Sequence, residues 1–190
     1  MAEVRKMSAI SVERPSEDGL VRIPMTWEEY LAADVVPSDY YDGAMVVMNR
    51  PRRTHQEIAR RLEDALRATA PEGVEVIREW GWSPAGVKEE LGPDLMAFPQ
   101  TDEDLRFSGV PFLVVEVLSG NRRDDLVAKL NRYAAWGAPD YWIVDPRDRV
   151  VITLRNDSGT FTETGRFTDG DVTLRYGAVE VPVDLDALFG

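Results

Sequence analysis

The chain has 190 residues, 44% hydrophobic and 29% charged, which is an ordinary balance for a globular protein with one full-sized core. No apolar run approaches the ~18 residues of a membrane helix, the first residues lack the apolar centre of a signal peptide, and there is no cysteine, so disulfides and thiolate metal sites are excluded and a cytoplasmic location is expected. The net charge of -12 argues against nucleic-acid binding by the whole surface but not against a local basic groove, for which Arg50, Arg52, Arg53, Arg60 and Arg61 and the pair Arg122 and Arg123 are candidates.

Residues 1–20 are polar, mixed in charge and aperiodic, and read as a disordered tail before a single domain over 21–190. Thr26 starts a short helix, TWEEYLAA, with Glu29 completing a capping box. In YYDGAMVVM (40–48), Asp42-Gly43 lies between strand-forming residues, a strong hairpin signal. Thr54, with Glu57 as a second capping box, opens a helix whose apolar face is Ile58, Leu62, Ala65, Leu66 and Thr69. Pro71 and Gly73 end it, and Val74 to Trp82 alternates as one half-exposed strand. Leu91–Phe98 and Pro111–Leu118 read as central strands.

Asn121 or Asp124 caps the next expected helix, which runs to Trp136 and closes on Gly137 and Pro139. Residues 141–145 and 150–155 follow as strands, and the remainder as one or two edge strands and a terminal turn. The strand–helix–strand order over 112–145 implies a right-handed crossover and a parallel pair inside an otherwise mixed sheet.

The chemistry concentrates between Pro93 and Pro146. Asp94 leads one central strand, and Asp is a poor strand residue, so it belongs at the strand end, where open α/β sheets bind ligands. Glu116 sits among Leu113, Val114, Val115, Val117 and Leu118; a carboxylate there is costly unless paired or bound to a cation. Side by side, the two offer hard oxygen ligands of the kind that hold Mg²⁺ or Mn²⁺. Lys129 falls on a helical wheel between Leu126, Tyr133 and Trp136, inside the stripe that faces the sheet, so it either snorkels or reaches a carboxylate. Tyr133, Trp136, Tyr141 and Trp142 read as core.

TWEEYL, the YDGAMVVM hairpin, His55 opening a helix after a proline, PDLMAF, VVEVLS and KLNRYAAWGAPDYWIVD, with their spacing, resemble the Uma-type family of endonucleases in the PD-(D/E)XK nuclease superfamily. The resemblance covers about residues 25–155. It implies a restriction-endonuclease-like α/β fold, a mixed central sheet flanked by helices with an N-terminal β-hairpin. It further implies Mg²⁺ held by Asp94, Glu116 and the Val117 carbonyl. The family's usual lysine position, two after Glu116, holds Leu118; Lys129 lies where some branches carry the lysine on the following helix. Asp39 matches an acidic hairpin position where Glu is usual and could line the site, as could Ser119 after the second strand.

His55, the only histidine, at a helix start beside Arg52 and Arg53, could contact a DNA backbone with them. The expected function is Mg²⁺-dependent hydrolysis of DNA phosphodiesters with Asp94, Glu116 and Lys129 catalytic. Duplex cleavage further suggests a homodimer. The alternatives are a non-catalytic nucleic-acid-binding or protein-interaction module that keeps the fold, and a metal-dependent hydrolase of another phosphoester.

Overall fold

The computed structural model describes residues 20–33, 38–47, 51–119 and 123–190, with 123–125 as backbone alone. The expected tail lies outside these residues except Leu20, which is buried in the core and therefore belongs to the folded chain. The candidate caps of the helix after residue 120, and Arg50 and Arg122, also fall outside the described side chains.

Strand β1 (Val21–Pro24), helix α1 (Trp27–Ala32) and the strands β2 (Ser38–Tyr41) and β3 (Ala44–Val47) form a three-stranded antiparallel layer in the order β1-β3-β2. Thr26 and Glu29 make the expected capping box, each binding the other's backbone N–H. Asp42 and Gly43 both take positive φ, +54° and +72°, as a two-residue hairpin turn of right-handed twist requires.

Helix α2 (Arg53–Thr69) starts one residue earlier than expected. Arg52 occupies the N-cap without a side-chain hydrogen bond, so the Thr54–Glu57 box does not form, and Glu57 pairs with Arg53 instead. The expected strand from Val74 to Trp82 is two strands, β4 (Val74–Arg78) and β5 (Gly81–Trp82). Glu79 breaks it with a φ of +54°, turning the chain so that Trp82 pairs with Phe107 of β7 (Arg106–Phe107) instead of extending the main sheet.

The central sheet runs β11-β10-β9-β8-β6-β4. Besides β4, it contains β6 (Leu95–Pro99), β8 (Leu113–Val117), β9 (Asp140–Asp145), β10 (Val150–Asp157) and β11 (Thr160–Phe167). Helix α3 (Arg123–Ala135) crosses from β8 to β9, which pair parallel as expected; the other pairs in this sheet are antiparallel. The C-terminal part holds more structure than expected: β11, the hairpin β12 (Asp171–Tyr176) and β13 (Val179–Asp184), and helix α4 (Leu185–Phe189).

Strand alternation gives the sheet two apolar faces. Val76, Leu95, Ala97, Val115, Val117, Trp142 and Val144 pack under α2, α4 and the β12–β13 hairpin. Met96, Phe98, Val114, Tyr141 and Ile143 pack with Tyr133 of α3, Trp82 and Tyr41 on the other side. Among the described residues no helix is long and apolar enough to cross a membrane.

Candidate active site

The register of β6 and β8 pairs Leu95 with Val115, Met96 with Val114 and Ala97 with Leu113. One step further along this antiparallel ladder, Asp94 stands opposite Glu116, and cross-strand neighbours bring their Cβ atoms to about 5 Å. The backbone N–H of Val117 donates to Asp94 Oδ2 at 2.7 Å, tying the two strand ends together. Both carboxylates are buried, as the sequence pattern around Glu116 requires.

Each carboxylate spends one oxygen on the protein. Asp94 Oδ2 meets the Val117 N–H and, at 3.0 Å, His55 Nε2. Glu116 Oε1 accepts from the Tyr133 hydroxyl at 2.7 Å and from Lys129 Nζ at 3.3 Å. Among the described residues no hydrogen bond falls on Asp94 Oδ1 or Glu116 Oε2. This donor set fits a hard divalent cation that takes carboxylate oxygens and completes its shell with carbonyl, water and phosphate oxygens. It does not fit a cation needing an all-side-chain cage, since among the described residues no three His, Cys, Asp or Glu side chains are arranged to hold one.

Lys129 is 2% exposed, so the inward position read from the helical wheel is its position in the fold. Of the two outcomes expected for its ammonium, it reaches a carboxylate, with Nζ 3.3 Å from Glu116 Oε1. It bridges Glu116 and Asp39, with Nζ 3.2 Å from Asp39 Oδ2. Asp39 is fully buried, and its Oδ1 accepts the Gly92 N–H at 2.7 Å, two residues before Asp94. The hairpin is stitched to this segment by two backbone hydrogen bonds between Tyr40 and Glu90. Its tip is clamped to α3 by Arg132, which pairs with Asp42 and Glu89 and lies over the Tyr41 ring.

Electrostatics separates the two strand-end carboxylates. Burial disfavours ionisation of Asp94, but the His55 hydrogen bond, the Lys129 charge and the Val117 N–H outweigh it and hold the carboxyl below its ordinary range. Glu116 goes the other way. Burial dominates, and the charges of Asp94 and Asp39 add to it; Lys129 and the Tyr133 hydroxyl offset only part, and the carboxyl is pushed up to about 8. Burial and the neighbouring Glu116 raise the Tyr133 hydroxyl well above its usual value.

The remaining sequence candidates divide. Ser119 follows the strand end and is half-buried. Arg52 and Arg53 are exposed at the start of α2, free of the core. His55 is not exposed beside them. It is buried, and its imidazole turns inward to Asp94, which removes it from the backbone-contact surface. The signal was present: His55 precedes Ile58 by three residues, Ala59 by four and Leu62 by seven, so it heads the buried stripe of α2.

A mixed sheet with two acidic strand ends, a crossover helix and a docked hairpin is a restriction-endonuclease-like fold. The crystal structure of a putative nuclease belonging to DUF820 from Anabaena variabilis ATCC 29413 superposes with a TM-score of 0.71 over 87% of this chain and 98% of that one, at 18% identity, a likeness of fold. A family model described as "Uma2: Putative restriction endonuclease" matches residues 27–180, and the chain belongs to that family. No curated protein matches it.

Proposed function

We propose that the protein is a Mg²⁺- or Mn²⁺-dependent endonuclease that hydrolyses DNA phosphodiesters. The observation that supports this most is the pair Asp94 and Glu116 on facing strand ends, each with one oxygen held inside the protein, beside a buried lysine. Asp94, Glu116 and the Val117 carbonyl would hold the cation. When bound, the cation supplies Lewis-acid activation of a water molecule and neutralises phosphate charge.

The chain's own residues prepare that chemistry. Asp94, ionised in the resting protein, offers a ready ligand, whereas Glu116 must give up a proton to become one. Lys129 is buried beside the two carboxylates, where an ammonium would stabilise the extra negative charge that develops on a phosphate under attack. Asp39 and Glu116 keep the ammonium aimed into the site. Arg52 and Arg53, with the open N-terminus of α2, are the proposed contacts to the DNA backbone.

The test is direct. Wild-type protein should bind Mn²⁺ and nick or cut plasmid DNA in its presence; Asp94→Asn and Glu116→Gln should lose both while keeping a cooperative melt. Cation binding without cleavage of any DNA substrate would favour a non-catalytic module. Cleavage of small phosphodiesters or monoesters but not of DNA would favour a different phosphoester hydrolase. Unchanged Mn²⁺ binding in both variants would remove the assignment altogether.

A further inference from the structure

His55 is a buried polar side chain beside Asp94 with only one of its ring nitrogens engaged among the described residues. Its Nε2 lies 3.0 Å from Asp94 Oδ2, and a hydrogen bond to that carboxylate calls for the Nε2–H tautomer. Its Nδ1 is buried with no hydrogen-bond partner among the described residues. A leucine would continue the stripe of Ile58, Ala59 and Leu62 without stranding a ring nitrogen, so packing gives no reason for an imidazole here.

We infer that His55 is a positioning residue for the cation site, an inference that rests on the reading of Asp94 as a cation ligand. Among the described residues Asp94 has two hydrogen bonds, both on the same oxygen, one from the backbone of β8 and one from His55. Two donors converging on Oδ2 fix the rotation of the carboxylate. They leave Oδ1 as the oxygen that takes the cation, so Asp94 binds through one oxygen in a set direction. The first turn of a 17-residue helix is a rigid mount for this donor. Hydrogen bonds that orient a ligating carboxylate typically contribute 10–100-fold in metal affinity.

The sequence makes the test clean, because His55 is the only histidine and tag-free protein has one imidazole signal. Nitrogen-15 spectra should show the Nε2–H tautomer. Free-Mn²⁺ titration by electron paramagnetic resonance should show His55→Leu, folded by its melt, binding roughly 10–100-fold more weakly than wild type. His55→Gln, able to donate from its amide, should fall between the two, and Asp94→Asn should abolish binding. His55→Leu at wild-type Mn²⁺ affinity, His55→Gln no better than His55→Leu, or an Nδ1–H tautomer would overturn the positioning role while Asp94→Asn still defines the site. Wild type that binds no Mn²⁺, or binds it as well after Asp94→Asn, would overturn the cation-site reading on which the inference rests. If His55→Leu fails to fold, His55→Ala carries the same comparison.

Discussion

Loading the site with a divalent cation should expel a proton, and its source should be Glu116. With its carboxyl raised to about 8, Glu116 is about nine-tenths protonated at pH 7 and about one-tenth protonated at pH 9, while Asp94, held low, contributes no proton at either pH. Mn²⁺ binding should therefore release about 0.9 proton at pH 7 and about 0.1 at pH 9. Affinity should climb about tenfold per pH unit up to pH 8 and then level off. Calorimetry at each pH in two buffers of different ionisation enthalpy gives the proton count directly. Tyr133→Phe removes a donor that favours the ionised form, so the whole profile should move to higher pH.

The same shift has a stability signature in the cation-free protein. Glu116 is raised in the fold from 4.5 to about 8, so between those values the native state holds a proton that the unfolded chain has lost. That contribution is fully present below about pH 4.5 and is lost as pH rises towards 8, a change of a few kcal/mol. Asp94 acts in the opposite sense, its depressed carboxyl contributing stability above its unfolded value that is lost on acidification. Melting temperature should therefore fall between pH 6 and 9, and Glu116→Gln should flatten that fall. Proton release near zero at pH 7, with an affinity flat from pH 6 to 8, would refute the reasoning.

Lys129→Met leaves Asp39 and Glu116 facing each other without their shared ammonium, so the variant should lose about 3–5 kcal/mol above pH 8 and less at pH 6, where Glu116 carries a proton, as read from urea unfolding at the two pH values. Its cleavage rate should drop roughly a hundredfold or more while Mn²⁺ still binds, and a fully active folded variant would exclude Lys129 from the chemistry. Arg52→Ala with Arg53→Ala should weaken DNA binding about equally across sequences and lower the slope of log affinity against log salt by about 2, measured by anisotropy. A homodimer is expected from the need to cut two strands, with the hairpin or the β11 edge of the central sheet as candidate surfaces; a monomer mass by light scattering at micromolar concentration would count against it.

What the sequence disclosed and what it hid follow a physical pattern. Local chemistry was legible: the Asp-Gly turn, the Thr26–Glu29 box and the crossover between β8 and β9 each follow from a few adjacent residues. So did the burial of Glu116 and Lys129, since each breaks an apolar pattern that must be buried. The C-terminal strands were under-read because β11 faces largely outward and its Thr, Glu and Gly residues lack an apolar alternation. The break at Glu79 escaped because a non-glycine residue takes the left-handed conformation there, which no local composition announces. Residue pairing across distance was the hardest to foresee. That Lys129 would reach Asp39, and His55 would reach Asp94, depends on how the hairpin and α2 dock on the sheet.

The stitched hairpin bears on when, during its own making, the protein becomes able to act. Asp39 arrives on the hairpin, Asp94 and Glu116 on two later strands, and Lys129 on the helix after them. A growing chain therefore carries two facing carboxylates before it carries the lysine. On the same helix, Arg132 ties α3 to the hairpin tip made long before. Since such long-range closure comes late in folding, synthesis interrupted anywhere short of α3 yields fragments without a complete site. For an enzyme whose proposed substrate is DNA, that withholds cutting power from every fragment that ends before the lysine's helix.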